Sequence, residues 1–565
     1  MANLSKIKRE KMLEYLEKLK EINNDDENIR AITEIENSLA IFTSIAVDEN
    51  IRAITEIENA LNEKKYGLVW EEHSEKVDEM LKHNIPIFVE DETRKITANE
   101  NEAYNFLLEG DNLHSLRLLE KTHKGKIDVI YIDPPYNTGN KSNPDSVFIY
   151  DDCMVGEDDG YRHSKWISFM HRRLEIAFSL LSLTGAIFIS IDDNEYAQLK
   201  LLCDSIFMES NYVTSFIRKT KSMTGDDGNG LNIQHEYMLV YAKNKPHLKF
   251  KGNPKSFENY SNPDDDPNGI WCAADPSAKS GGDSTYFPIK NPYTGKEDFP
   301  PKGRFWAFSK DTMEKYIESG RIKFKEKYGK NQRGFIFKRY AEKMEVKNMP
   351  IDSLLFTSNE FMNSFATSEL KSILKVGKFS YPKPTTLIYQ IVKSVAGSEA
   401  TVLDFFAGSG TTGHAVMQLN KEDGGNRKYI LCTNNENNIC EEVTYQRLKN
   451  IQEELPHNLK YYKTEFIPKF YDDEESISEK MMEHIRELIE LEYAIVLDGK
   501  KYIVLNDEEG LDEAISKIEN GGKLFVRSGI FLSRSNQRIL EEKDVSIIEI
   551  PEYYFGEELK EVGEL

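Results

Sequence analysis

From about residue 105 onward the apolar positions follow two alternating rhythms. Short apolar runs at 126–132 (KIDVIYI), 186–191, 235–241 (HEYMLVY), 401–403 and 428–433 (KYILCT) have the length of buried strands. Between them, 166–183, 196–207 and 414–419 carry apolar residues at helical spacing. Strand–helix alternation of this kind predicts an α/β, doubly wound sheet. The region 1–65 reads differently. Leu13, Leu16 and Leu19 recur at helical spacing among Lys and Glu, and the twelve residues DENIRAITEIEN occur at 26–37 and again at 48–59. A 22-residue period is close to six helical turns, so both copies would present one face. Two copies are too few for a solenoid. This segment reads as a duplicated helical arm.

The pattern sets the expected domain limits: a helical arm at 1–100, an α/β core in two halves at 101–244 and 351–470, an insertion at 245–350, and an acidic α+β tail at 471–565. The insertion is marked by lost periodicity, by Pro, Gly, Asn and Asp clusters, and by aromatics among bases from Phe305 to Tyr340. In the tail, 477–491 reads as helix, and 493–497 and 502–505 read as strands.

Charge sharpens this division. The 565 residues carry a formal net charge of −23, which by itself argues against a polyanionic partner. Yet 471–565 holds 25 acids against 11 bases, while 245–347 holds 21 bases against 14 acids. A polyanion would dock on the middle and be repelled by the ends. The densest bases are Arg321, Lys323, Lys325, Lys327, Lys330, Arg333, Lys338 and Arg339, the candidate contacts to a polyanion. Five scattered cysteines without a C-x-x-C pattern argue against a disulfide framework or a structural zinc site. No apolar run reaches membrane-spanning length and no leader pattern is evident, so the expectation is a cytoplasmic protein with no membrane partner.

Three motifs carry candidate chemistry. Asp133-Pro134-Pro135-Tyr136 follows a strand directly, and ligands of open α/β sheets bind at the carboxyl ends of strands. A carboxylate, a carbonyl in a proline-stiffened loop and an aromatic face suit a flat base bearing an amino group. The second motif is Asp404-Phe405-Phe406-Ala407-Gly408-Ser409-Gly410-Thr411, between a strand and a helix. It lacks the lysine of a phosphate-binding P-loop. The third is Glu436, just past the next strand, where an acid commonly holds ribose hydroxyls; a helix-capping role is the plainer alternative.

D-P-P-Y with F-x-G-x-G-T-T, in that order and with an insertion between, resembles the β-class S-adenosylmethionine-dependent DNA amino-methyltransferases. GDN at 110–112, DPPYNTG at 133–139, WISFMHRRL at 166–174, GAIFISIDDNE at 185–195, HEYMLVYAKN at 235–244 and TNNENN at 433–438 narrow this. They resemble the modification (Mod) subunits of Type III restriction–modification systems. The resemblance implies a Rossmann-like methyltransferase sheet with an inserted target-recognition domain, and adenine-N6 methylation of double-stranded DNA. Asp133, Pro134, Pro135 and Tyr136 would form the catalytic loop. Asp111 and Asn112 would meet the adenine of S-adenosylmethionine, and Phe406, Gly408, Ser409, Gly410 and Thr411 would form the cofactor loop. Asp404, Lys383 and Pro384 would lie near the cofactor's methionine end. A homodimer and a separate Res helicase–nuclease subunit are implied as partners, and the tail and the helical arm are the expected assembly surfaces. An orphan adenine methyltransferase and a cytosine-N4 enzyme remain alternatives; Asp rather than Ser at position 133 favours adenine. Phe148 and Tyr150 are read either as packing on a target base or as plain aromatic core. Asp192 and Asp193 are further candidates for lining the site.

Overall fold

The structure is a computed structural model and describes residues 68–139, 148–150, 153–222, 230–254, 257–329, 331–342, 348–375, 379–469 and 476–565. The duplicated segment and Lys330 lie outside the described residues. The chain divides into two compact units, 1–250 with 352–565, and 251–351.

The larger unit is built on a nine-stranded sheet. Its strands are β1 (Asn84–Glu90), β2 (Tyr104–Glu109), β3 (Ile127–Ile132), β4 (Leu181–Ile191), β5 (Tyr212–Lys219), β6 (His235–Ala242), β7 (Thr401–Asp404), β8 (Lys428–Thr433) and β9 (Asn458–Pro468), in the order β1-β9-β2-β8-β7-β3-β4-β6-β5. The six from β9 to β4 are parallel, and β1, β6 and β5 extend the sheet by antiparallel pairing. Ile130, Ile132, Leu403, Ile430 and Cys432 are fully or almost fully buried. Covered faces of this kind make parallel strands read as unbroken apolar runs. The helices α1 (Lys76–His83), α2 (Asn112–His123), α3 (Arg162–Leu180), α4 (Tyr196–Phe207), α5 (Asn363–Leu374), α6 (Thr385–Val395), α7 (Thr411–Asp423) and α8 (Tyr445–Asn450) complete the crossovers.

Two expectations change here. Residues 84–90, assigned to the helical arm, form β1, which pairs with β9 from Asn84↔Pro468 to Glu90↔Tyr462. Four of its seven residues are buried in a row, and burial on the sheet outweighs the charged surroundings that made the region look helical. The tail is also not separate. Its three parallel strands, Tyr502–Leu505, Lys523–Arg527 and Ser546–Ile550, are linked by helices Leu511–Lys517 and Arg534–Glu542. Parallel strands with helical crossovers make it α/β rather than α+β. The strand expected at 493–497 is absent, since helix Ile485–Tyr493 runs into it. That helix and Glu552–Val562 bury Ile485, Leu488, Ile489, Leu491, Phe555 and Leu559 in the same core cluster as β3 and α3. Each such side chain contributes about 1.5–3 kcal/mol, so 471–565 is not a dispensable appendage.

One buried ion pair ties the tail to the sheet. Lys460 on β9 and Glu490 are both fully buried and in direct contact, and Glu90 lies 2.9 Å from the same ammonium. Tyr462 and the Leu497 amide also donate to Glu490.

The smaller unit has an antiparallel sheet of Trp271–Ala274, Phe335–Tyr340 and Ile322–Phe324, beside helix Lys310–Glu318. The aromatics that alternate with bases in sequence mostly form its core: Trp306, Phe308 and Phe335 are buried, and Phe324, Tyr316 and Phe337 pack against them.

Glu490→Ala should lower the unfolding free energy by about 3 kcal/mol, because it leaves a buried ammonium with less counter-charge; equilibrium urea unfolding of the full chain measures this.

Candidate functional site

All the motif loops leave the carboxyl edge of the parallel sheet. Asp133 follows β3, Phe405 follows β7, Asn434 follows β8, and Gly110-Asp111 follow β2. Because β7 pairs in register with β3 (Val402↔Val129, Leu403↔Ile130), the proline loop and the glycine loop emerge side by side.

The proline loop is fixed from α3. Trp166, buried, donates its indole N–H to the Pro135 carbonyl at 2.6 Å. Asn137, at φ 54, donates to Glu195 Oε1 at 2.5 Å, and burial pushes the Glu195 carboxyl up to about 8. In the glycine loop, Gly408 (φ 48) and Gly410 (φ 75) adopt the left-handed backbone that side chains resist. A Cβ at Gly408 would sit 3.3 Å from the Phe379 ring. Thr444 Oγ1 donates to the Gly408 carbonyl at 2.5 Å.

Two cavities adjoin these loops and share Pro135, Phe406 and Thr433 as lining. The first, of about 310 Å³, is bounded by acids and amides: Glu75, Asp111, Asn112, Asn434 and Glu436. The second, of about 610 Å³, is lined by Asp133, Pro134, Tyr136, Glu236, Phe379 and Gly408, and Asp192 also faces it. Of the sequence candidates, Asp111, Asn112, Pro135, Phe406 and Glu436 reach the first cavity, and Asp133, Pro134, Pro135, Tyr136, Phe406 and Gly408 the second.

The other candidates are turned elsewhere. Asp404 is buried and bound within its own loop, by the Thr412 hydroxyl at 2.6 Å and the Phe406 amide at 3.0 Å. Burial pushes its carboxyl up to about 7. Ser409 and Thr411 accept from the buried guanidinium of Arg447, at 3.2 and 2.8 Å. They brace the loop instead of lining a cavity. Lys383, expected at the cofactor's methionine end, sends its ammonium to the proline loop, 2.7 Å from Tyr136 Oη and 3.0 Å from Asp133 Oδ1. Its carbonyl accepts from Thr411 Oγ1, so this residue spans both loops. Phe148 and Tyr150 are buried, with Phe148 against Phe169 and the Tyr150 hydroxyl on the Ser74 carbonyl, which decides for aromatic core.

Among the basic candidates, Lys338 is corrected: it is buried and pairs with Asp264 at 2.7 Å and with Asp266 at 2.5 Å. A cation without solvent access cannot meet a phosphate. Lys323 pairs with the same Asp264 at 2.7 Å and Arg333 with Asp275 at 3.4 Å. Arg321 donates to the Lys338 carbonyl and lies over Tyr316.

The structure adds residues that the motifs did not name. Arg173 of α3, fully buried, binds Glu75 at 2.8 and 3.1 Å, Asn112 Oδ1 at 2.5 Å and Asp111 at 3.3 Å. It aligns the first cavity's polar wall, and Asn112 in turn donates to the Phe405 carbonyl. In the second cavity Glu236 accepts from the Tyr136 hydroxyl at 3.1 Å and pairs with Arg218 at 3.2 Å. Burial raises the Asp133 carboxyl above its usual range despite the Lys383 charge. For Glu236, burial pushes the other way from Arg218 and Lys383, and the two cations prevail and hold it ionised.

The donor set fits S-adenosylmethionine. The first cavity offers acids and amides to a nucleoside, and Pro135, Phe406 and Thr433 line both it and the Asp133 cavity.

The sequence profile of the DNA methylase family matches residues 127–445. The Mod subunit of the Type III restriction-modification enzyme StyLTI from Salmonella typhimurium is 36% identical over 399 residues, 66% of this chain and 59% of that protein. The EcoPI Mod subunit of Escherichia phage P1 is 32% identical over 424 residues, 66% of this chain and 64% of that protein. The chain thus spans about three fifths of the length of these two relatives. The Type II methyltransferase M.KpnI of Klebsiella pneumoniae is 33% identical over 413 residues, 67% of this chain and 94% of that protein.

Asp404 gives a pH prediction. Its unfolded carboxyl titrates near 4, its folded one near 7. Between those values only the folded state holds the proton, so this group makes stability fall as pH rises through the window. Asp404→Asn should remove that part of the slope, seen as a flatter pH dependence of the urea midpoint than in wild type.

Proposed function

The chain belongs to the DNA methylase family, and from that premise we propose that it methylates the exocyclic N6 amine of adenine in double-stranded DNA. S-adenosylmethionine, when bound, supplies an electrophilic methyl on its sulfonium. The proposal assigns Asp111, Asn112 and Glu436 to hold the nucleoside and Phe406 and Gly408 to hold the methionine end.

One observation carries the reading. Asp133 lines the second cavity, and its Oδ1 is buried with the Lys383 ammonium 3.0 Å away. A carboxylate has about four lone-pair sites, so beside that ammonium it can still accept an amine N–H. In this reading Asp133 and the Pro134 carbonyl accept the two amine protons and favour a pyramidal nitrogen whose lone pair points outward. The raised affinity of Asp133 for a proton equips it to hold the one the amine releases. The rest of the catalysis is positioning and electrostatics.

The target base must leave the duplex to enter a cavity at a strand edge. Unstacking costs a few kcal/mol, and stacking on Tyr136, about 1–3 kcal/mol, offsets much of it. Phosphate contacts are assigned to Lys325, Lys327 and Arg339 of the 251–351 unit, which are exposed or half-buried. That unit serves as the target-recognition domain. We place the enzyme in the cytoplasm as a Mod subunit that dimerises and engages a Res helicase–nuclease subunit. Two Mod subunits among the relatives support this, and among the described residues no helix is long and apolar enough to cross a membrane.

Asp133→Ala should cut methyl transfer by at least about 10²-fold with cofactor affinity retained, read by tritium transfer from labelled S-adenosylmethionine. Nucleoside mass spectrometry locates the methyl, and N4-methylcytosine in place of N6-methyladenine would overturn the base assignment. Gly408→Asp should weaken cofactor binding at least about tenfold, ~1.4 kcal/mol, by calorimetry. Unchanged affinity would remove the glycine loop from the cofactor site.

A further inference from the structure

Four charged side chains form one network at the second cavity. Asp133 and Glu236 line it, and Lys383 and Arg218 pair with them from behind the lining. Arg218 on β5 and Glu236 on β6 are direct partners in the antiparallel register, and both are buried. Arg218 is held from its far side by Asn363 Oδ1, 3.2 Å from Nη1. Glu236 accepts from the Tyr136 hydroxyl at 3.1 Å and lies 3.3 Å from the Lys383 ammonium. Lys383 donates to the same hydroxyl at 2.7 Å. The Tyr136 hydroxyl is therefore donor to one fixed group and acceptor from another, which sets the plane of its ring.

We propose that Glu236, anchored by Arg218, is a positioning residue for methyl transfer: it orients the Tyr136 ring and shares the Lys383 ammonium, so that Asp133 stays open to the target amine. The inference rests on the reading of Asp133–Tyr136 as the base-binding loop. Asp133 and Glu236 are the carboxylates within ion-pair distance of Lys383 among the described residues. The ammonium lies 3.0 Å from Asp133 and 3.3 Å from Glu236. Remove the charge of Glu236 and Asp133 is left as its sole carboxylate, so the ammonium draws more electron density from the group that must polarise the amine. Tyr136 loses its acceptor at the same time.

The groups that bear on Asp133 are Lys383 before α6, Glu236 on β6, Arg218 on β5, Tyr136 on its own loop, Tyr131 on β3, Asp404 at the end of β7 and Asp192 after β4. Glu236 is the anion among them whose charge raises Asp133 most directly. Its loss therefore moves Asp133 to lower pH.

The test is single-turnover methyl transfer by the full chain on adenine-containing DNA, from acid to neutral pH, for wild type, Glu236→Gln, Glu236→Asp and Arg218→Gln/Glu236→Gln. Glu236→Gln should slow transfer by about 10- to 100-fold, the scale of a misplaced reacting group. Its acid limb should move to lower pH, with cofactor affinity by calorimetry within about twofold. Glu236→Asp keeps the charge and should keep the wild-type limb. The double variant preserves the net charge of the cluster, so it decides the matter if Glu236→Gln alone does not fold; it too should be slow. Wild-type rates in Glu236→Gln or in the double variant would overturn the proposal, as would a slow Glu236→Gln with an unshifted limb. Absence of transfer by wild type itself would instead sink the base-binding reading beneath it.

Discussion

Everything at the site depends on the parallel pairing of β7 with β3. Adjacent strands lie about 4.8 Å apart, so their carboxyl ends deliver two loops into one crevice. Here the two loops are separated by an entire inserted unit in sequence, yet Leu403 sits opposite Ile130. The ladder is buried on both faces and register is strongly specified where side chains are buried. A one-residue slip would turn every side chain of β7 over and aim the glycine loop away from Asp133.

Around this crevice the protein keeps charges inside. Arg173, Arg218, Arg447 and Lys460 are almost completely buried, and each is matched by carboxylates, hydroxyls or carbonyls that converge from different elements. Arg173 ties α3 to the segment before α1 and to the loop after β2. Arg447 ties α8 to the glycine loop. Such pairs contribute little net stability, since desolvation cancels much of the attraction. What they give is direction. Arg173 and Arg447 fix loops, Arg218 fixes a strand pair, and Lys460 fixes the helix that carries Glu490.

Much of this was legible in the sequence. Unbroken apolar runs gave most of the central strands, with helix 196–207 and strand 428–433 at the observed limits. The proline loop and two of the first cavity's acids, Asp111 and Glu436, were visible as motifs at strand ends. Other features were hidden for identifiable reasons. Strand 84–90 carries a proline and polar ends, Asn84 and Glu90, and only its distant partner β9 makes it a strand. Ser409 and Thr411 stand in a ligand-binding motif, but Arg447 far along the chain claims their hydroxyls. Lys338 belongs to a run of bases, and strand alternation turns it inward onto Asp264 and Asp266. Glu236 and Arg218 did leave a trace, as charges set within otherwise apolar strands, but their register across β5 and β6 is a tertiary fact.

The placement of β9 has a consequence for how the protein is made. Strand β1 has no neighbour in the sheet until β9 arrives, some 370 residues later, and β9 in turn needs the helix carrying Glu490 to cover its buried ammonium. At roughly 5–20 residues per second, the amino-terminal edge of the sheet waits on the order of tens of seconds for its partner. The intervening unit 251–351 has its own core and can fold during that interval. A nascent chain thus holds a finished unit 251–351 while the larger sheet still lacks β7, β8 and β9, and the β1 edge is paired only once β9 has emerged. A chain interrupted before β7 lacks the strand that brings the glycine loop beside Asp133.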